Sequence, residues 1–158
     1  MRAREFDETT FFRAIAACGA RALLIGRRAL VVLGLPVLTA DYDFWLHPED
    51  IERFNGAVAS FDLVPTHSPD DARRRGRYAV ENDEHIDLLV ARAVTTIDGL
   101  VVKLEDVWAR RQTIQIADGC GLPIPTIDDL IATKRFAARP KDLEDIRMLE
   151  VLRGEDQP

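Results

Sequence analysis

A chain of 158 residues is long enough for one domain with its own core and too short for two. Hydrophobic residues at 47% and charged residues at 30% describe an ordinary globular protein, while the net charge of -6 argues against one devoted to gripping nucleic-acid phosphates, an affinity that Lys and Arg supply. Cys18 and Cys120 offer neither zinc spacing nor a disulfide framework and are expected as small buried thiols; with no signal-peptide core and no run of membrane-spanning length, a cytoplasmic protein with no membrane partner is expected.

Phe11, Phe12, Ile15 and Ala16 recur at helical spacing, which predicts an amphipathic helix from about Asp7 to Cys18 with Gly19 as its stop. A short apolar strand follows near Arg21 to Ile25, ending at Gly26, and Arg27 to Leu33 reads as a short helix closed by Gly34. Pro36 marks the turn into a strand across Thr39 to Leu46. His47-Pro48-Glu49-Asp50 opens a helix carrying Ile51, Phe54 and Val58 to about Ser60. Leu63 to Pro65 reads as a short strand and Ser68 to Gly76 as a charged connector. Arg77 to Val80 and Ile86 to Val90, parted by Asn82-Asp83-Glu84, predict a hairpin.

The segment from Ala91 to Pro125 carries the weakest pattern. Val94 to Ile97, Leu100 to Lys103, Thr113 to Ile116 and Leu122 to Ile124 have strand character, and Glu105 to Arg111 fits a short helix. Thr126 then caps a helix expected to reach about Ala138. Pro140 breaks it, and a last helix over Lys141 to Leu152 presents Leu143, Ile146, Leu149 and Leu152 on one side, with a frayed tail from Gly154.

The chemistry centres on Thr39-Ala40-Asp41-Tyr42-Asp43-Phe44-Trp45-Leu46. In an extended chain Asp41 and Asp43 share one face, roughly 7 Å apart, and two like charges side by side are costly unless a cation or a proton relieves them. Magnesium binds through hard carboxylate oxygens, so a metal site is one reading and a solvated acidic edge the other. Asp87 stands in the apolar run Ile86 to Val90, either as a third carboxylate of that site or on the wet face of an amphipathic strand.

Ile25-Gly26, Gly34-Leu35-Pro36, Thr39-x-Asp41-x-Asp43, Ile86-Asp87-Leu88-Leu89 and Asp128 to Lys134 followed by Arg139-Pro140-Lys141-Asp142 together resemble one family, over about residues 20–150. It is the nucleotidyltransferase superfamily of the DNA polymerase beta type, and more narrowly its small bacterial members, the minimal and AbiEii-like proteins that include toxins of toxin-antitoxin pairs. The resemblance implies an α+β fold in one domain, a mixed sheet of four or five strands with helices packed against it and a helical pair at the C-terminus. It implies transfer of a nucleoside monophosphate from a nucleoside triphosphate to a hydroxyl acceptor, through a two-ion magnesium site. Asp41 and Asp43 would be the shared metal ligands and Asp87 the third.

Two positions depart from that pattern. The family follows the strand-ending Gly with Gly or Ser, where this chain has Gly26 and then Arg27, a cation that either binds phosphate or fills the cradle. Small members often carry Arg after the loop Pro, where this chain has Val37. Lys134 is the candidate for neutralising phosphate charge, or else an exposed helix lysine paired with Asp129 or Glu144. Asp142 and Asp145 read as structural, with Arg139 a local partner of Asp142. His47, His67 and His85 have no mutual metal-ligand spacing, and the Gly26 to Gly34 interval lacks the Lys-Ser or Lys-Thr of a P-loop. The rival to an enzyme is the same fold kept as a binding module for a protein partner, with Arg27 blocking the nucleotide. The acceptor stays open between RNA ends, protein hydroxyls and small antibiotics.

Overall fold

The computed structural model describes residues 6–136 and 139–155. The first helix, α1 (Glu8–Ala17), begins where Asp7 takes the amides of Thr9 and Thr10, and it buries Phe11, Phe12 and Ile15. Strand β1 (Ala22–Ile25) runs directly into α2 (Gly26–Val32), and the chain then turns at Gly34, φ +89. The next strand, β2 (Tyr42–Leu46), is shorter than its sequence pattern suggests. Arg28 explains the difference: it donates to the carbonyls of Thr39 and Asp41 and lies 4.2 Å from the Tyr42 ring centre, so the approach to β2 is pinned to α2 rather than paired in the sheet.

A 3-10 turn over Pro48–Asp50 leads into α3 (Ile51–Val58), which buries Ile51, Phe54 and Val58. Then come β3 (Val64–Pro65), α4 (Pro69–Arg75), β4 (Arg77–Glu81) and β5 (His85–Val90). The expected connector over 68–76 is therefore a helix. Ser68 caps it by accepting from the Asp71 amide, Asp70 and Asp71 sit in its first turn, three arginines sit in its last, and Gly76 closes it at φ +76.

These five strands form one mixed sheet, ordered β1-β2-β5-β4-β3, in which β2 and β5 are parallel and the other pairs antiparallel. One face carries Leu24, Phe44, Leu46, Leu88 and Val80 into the main core, shared with α1 and α3. The other face is half covered. Leu23 and Trp45 are buried there beneath β6 (Ala93–Thr95), β7 (Val101–Lys103) and α5 (Leu104–Arg110), which contribute Val94, Val102, Leu104 and Val107. Trp45 lends its indole N–H to the Ala91 carbonyl, so it is a core residue with its one polar atom satisfied.

The hairpin of β8 (Gln112–Ala117) and β9 (Cys120–Ile124) returns the chain to α1 and β1, adding Leu122 and Ile124 to the main core. Cys120 is buried, whereas Cys18 is only partly so. Thr126 caps α6 (Ile127–Lys134), and α7 (Pro140–Glu155) packs against it. Helix α6 ends at Lys134, short of the expected Ala138, and Ala137 and Ala138 lie outside the described residues. Helix α7 continues to Glu155, beyond the expected fraying at Gly154. Its buried side is also rotated from expectation: Ile146 and Leu149 are buried together with Asp142 and Asp145, while Leu143 is 49% exposed. No described helix is long and apolar enough to cross a membrane.

Candidate active site

The open half of the second sheet face is floored by the row Ile25, Asp43, Asp87 and Ala79, one residue from each of four neighbouring strands. Parallel pairing of β2 and β5 sets Asp43 opposite Asp87, on strands about 4.8 Å apart. The two acids chosen from sequence are thus neighbours, although 44 positions separate them (87 minus 43). Asp43 is half-buried and has neither an ion pair nor a hydrogen bond among the described residues. Burial pushes its carboxyl up to about 6, and the charges of Asp87 and Asp41 push the same way, only partly offset by Lys141 and Lys134.

Asp41 is the outlying member. It lies exposed just before β2, its amide bonded to Thr39 Oγ1 at 3.0 Å, and it reaches the pair through its field rather than by contact. Among the described residues no three of His, Cys, Asp and Glu stand close enough to share a metal ion. Asp87 is 52% exposed in its side chain and is held by His85, whose Nε2 lies 2.8 Å from Oδ1 while Nδ1 lies 2.9 Å from Glu81. The hydrogen bond to Asp87, with Glu81 in support, holds the imidazole above its ordinary value despite desolvation. Spacing among the three histidines does not reveal that His85 pairs with Asp87, yet a signal for it exists: positions 85 and 87 of a strand share a face.

Gly26 stands against the acid row. Its φ is +69, and a Cβ built there would lie 2.7 Å from Asp43 Oδ2, so only glycine lets the start of α2 approach this carboxylate. No side chain caps α2. Arg27, the departure that threatened to fill the cradle, turns elsewhere: its Nε lies 3.3 Å from Asp145 Oδ2 and its Nη2 3.2 Å from Oδ1. Lys134, 5% exposed, donates to the same carboxylate at 3.0 Å. It is paired with neither Asp129 nor Glu144, and it is not an exposed helix lysine; Asp129 instead receives Arg110. Asp145 is therefore a buried anion clasped by cations from α2 and α6, its Oδ1 in ionic contact with Arg27 but without a hydrogen bond.

Arg139 donates from its backbone amide and Nε to Asp142, as the sequence suggests; burial works to raise that carboxyl, and these bonds outweigh it and hold it low. Val37, in place of the customary Arg, packs against the main core.

A cavity of about 860 Å3 opens over the acid row, and Gly26, Asp43, Asp87 and Lys134 line it together. Arg27 and Asp41 do not. Two hard-oxygen donors suit magnesium in kind, and the charge of Asp43, paired with no described side chain and only partly offset by Lys141 and Lys134, suits it in sign. No family model matches the chain, and no curated protein matches it in sequence. Solved structures do share its fold, among them the following two. One is a protein of Thermotoga maritima provisionally assigned as a nucleotidyltransferase, with 13% identity, a TM-score of 0.55, and coverage of 91% of this chain and 86% of that one. The other is the antibiotic-resistance factor ANT(2'')-Ia, with 16% identity, a TM-score of 0.60, and coverage of 94% and 90%.

Proposed function

On the nucleotidyltransferase fold that these neighbours share, we propose that this chain is a metal-dependent nucleotidyltransferase. The observation that carries the reading is Asp43, without an ion pair among the described residues, set opposite Asp87 at the glycine that ends β1. In the proposed reaction an acceptor hydroxyl oxygen bonds to the α-phosphorus of a nucleoside triphosphate, the bridging bond to the β-phosphate breaks, pyrophosphate leaves and the hydroxyl proton passes to Asp87. Magnesium, held by Asp43 and Asp87 with the field of Asp41 added from outside the cavity, would supply charge neutralisation of the triphosphate and of the attacking oxygen. Gly26 admits phosphate close to the backbone, and Lys134 sets a fixed positive charge in the wall. Arg27 supports the enzyme over a blocked binding module, because its guanidinium is spent on Asp145 and leaves the cavity clear.

A thermal-shift titration tests this. Magnesium with a mixture of nucleoside triphosphates raises the melting temperature of the native chain, since a ligand that prefers the folded state stabilises it by mass action. Asp43→Ala loses that response while magnesium-free Asp43→Ala still melts cooperatively. A native protein indifferent to magnesium and triphosphate together would overturn the reading.

A further inference from the structure

The cavity is electrically lopsided. The sheet order places the acid row on β2 and β5, with the β1 edge and Gly26 on one side and β4 and β3 on the other. On the β1 side the cations Lys134, in the cavity wall, and Arg27, behind it, are already matched by Asp145, and Lys141, whose field reaches Asp43, does not line the cavity. Arg139, in the α6 to α7 link, is matched by Asp142. On the β4 side they are not. Gly76 in its left-handed conformation turns α4 straight into β4, which delivers Arg75 and Arg77 to the cavity wall in succession. Arg77 lies two residues from Ala79 along the strand, hence on the face of Asp87, and has no ion pair or hydrogen bond among the described residues. Arg75 has only a 3.6 Å contact with Asp71 and is 57% exposed. His67, beyond β3, meets Thr66 Oγ1 through Nδ1 at 2.9 Å and has Nε2 unbonded among the described residues.

This end is built of donors for an anion and lies across the acid row from the glycine. At about 860 Å3 the cavity is near the upper end for a small-molecule site, enough for a second substrate beside a nucleotide. We infer that the acceptor is itself anionic, a hydroxyl compound carrying a phosphate group that Arg75, Arg77 and His67 receive. The inference rests on the nucleotidyl-transfer reading for the word acceptor, and on the donors alone for the anion. Guanidinium forks suit phosphate and disfavour a polycationic acceptor such as an aminoglycoside, which would meet Arg77, unpaired among the described residues, and Arg75, held only loosely by Asp71. Phosphate beside a hydroxyl occurs on phosphorylated sugars and at the ends of short RNA, and the test separates the two.

Ribose 5-phosphate, a hexanucleotide RNA and an aminoglycoside are titrated calorimetrically into the native chain and into the double variant Arg75→Ala/Arg77→Ala, with a urea melt confirming that the variant is folded. The native chain binds a phosphate-bearing probe, and the double variant binds it at least about tenfold more weakly. Arg77→Lys, which keeps the charge, restores part of the loss. Tighter binding of the RNA assigns a nucleic-acid end, and equal binding assigns a small phosphorylated molecule. Unchanged binding by the double variant, no binding of either phosphate probe, or preference for the aminoglycoside overturns the inference. The double variant keeps the thermal response to magnesium and triphosphate. If instead that response is absent from the native chain while phosphate binding still depends on the arginines, the nucleotide reading fails and the anion site stands.

Discussion

Asp43 costs the folded chain stability whenever it is charged and unmatched. Its folded carboxyl holds a proton up to about 6, against an ordinary value of 3.8, so between those values the folded state binds more protons than the unfolded one. Stability therefore falls as pH rises through that window. Asp43→Asn removes the penalty: without magnesium it is more stable than the native chain at pH 7, by up to about 3 kcal/mol, and the advantage disappears below about pH 4. Urea midpoints across that range check this, and an equal midpoint at pH 7 would mean that the carboxylate is already neutralised. The alternation of acids with apolar residues made Asp43 and Asp87 legible in the sequence, because a strand with one apolar face must aim the intervening residues the other way. Lys134 was legible as a position, but its burial and its ion partner were not. Its partner Asp145 lies across a helix break, and nothing local says which of several nearby acids a lysine will choose.

At the scale of helices, the instructive cases are α4 and α7. Ser68-Pro69-Asp70-Asp71 is a helix opening, and Gly76 a helix stop, but between them only Ala72 is buried, so the apolar stripe by which helices are usually found is missing. Helix α7 misled in the opposite way. Its leucines suggested one buried side, yet the helix turns to place Asp145 between Lys134 and Arg27, leaving Leu143 outside. Three charges in one contact outweigh one leucine, since a buried ion without its partner is costly. Asp145→Asn leaves Lys134 buried opposite a neutral amide and costs about 3 to 5 kcal/mol in chemical denaturation. A loss below about 1 kcal/mol would mean that α7 is held by its apolar residues alone.

Across the whole molecule the main core draws on both ends of the chain: Phe11 and Ile15 from α1 meet Leu122 and Ile124 from β9, and Leu130, Ile146 and Leu149 belong to the same cluster. A chain cut after Ala91 would leave that core open, so calorimetry on the full chain shows one transition, and the fragment 1–91 shows none. Two separable transitions would reveal an independent C-terminal unit. The strands of the sheet were readable because they are short and mostly apolar, with Gly, Pro or Asn82-Asp83-Glu84 marking their ends, while their mixed pairing was what the resemblance implied. The hairpins between Ala93 and Ile124 were found as strands, but their pairing depends on contacts remote in sequence that no local pattern records.

The clasp on Asp145 has a consequence for partly opened molecules. Lifting α7 would strip the anion from two cations at once, Lys134 in the cavity wall and Arg27 next to the Gly26 that abuts Asp43. Freed, they would swing onto Asp43 and Asp87 and silence them. An opened molecule would then fail through self-neutralisation before it failed through lost shape, which makes the seating of the last helix a condition for keeping the central pair hungry for metal.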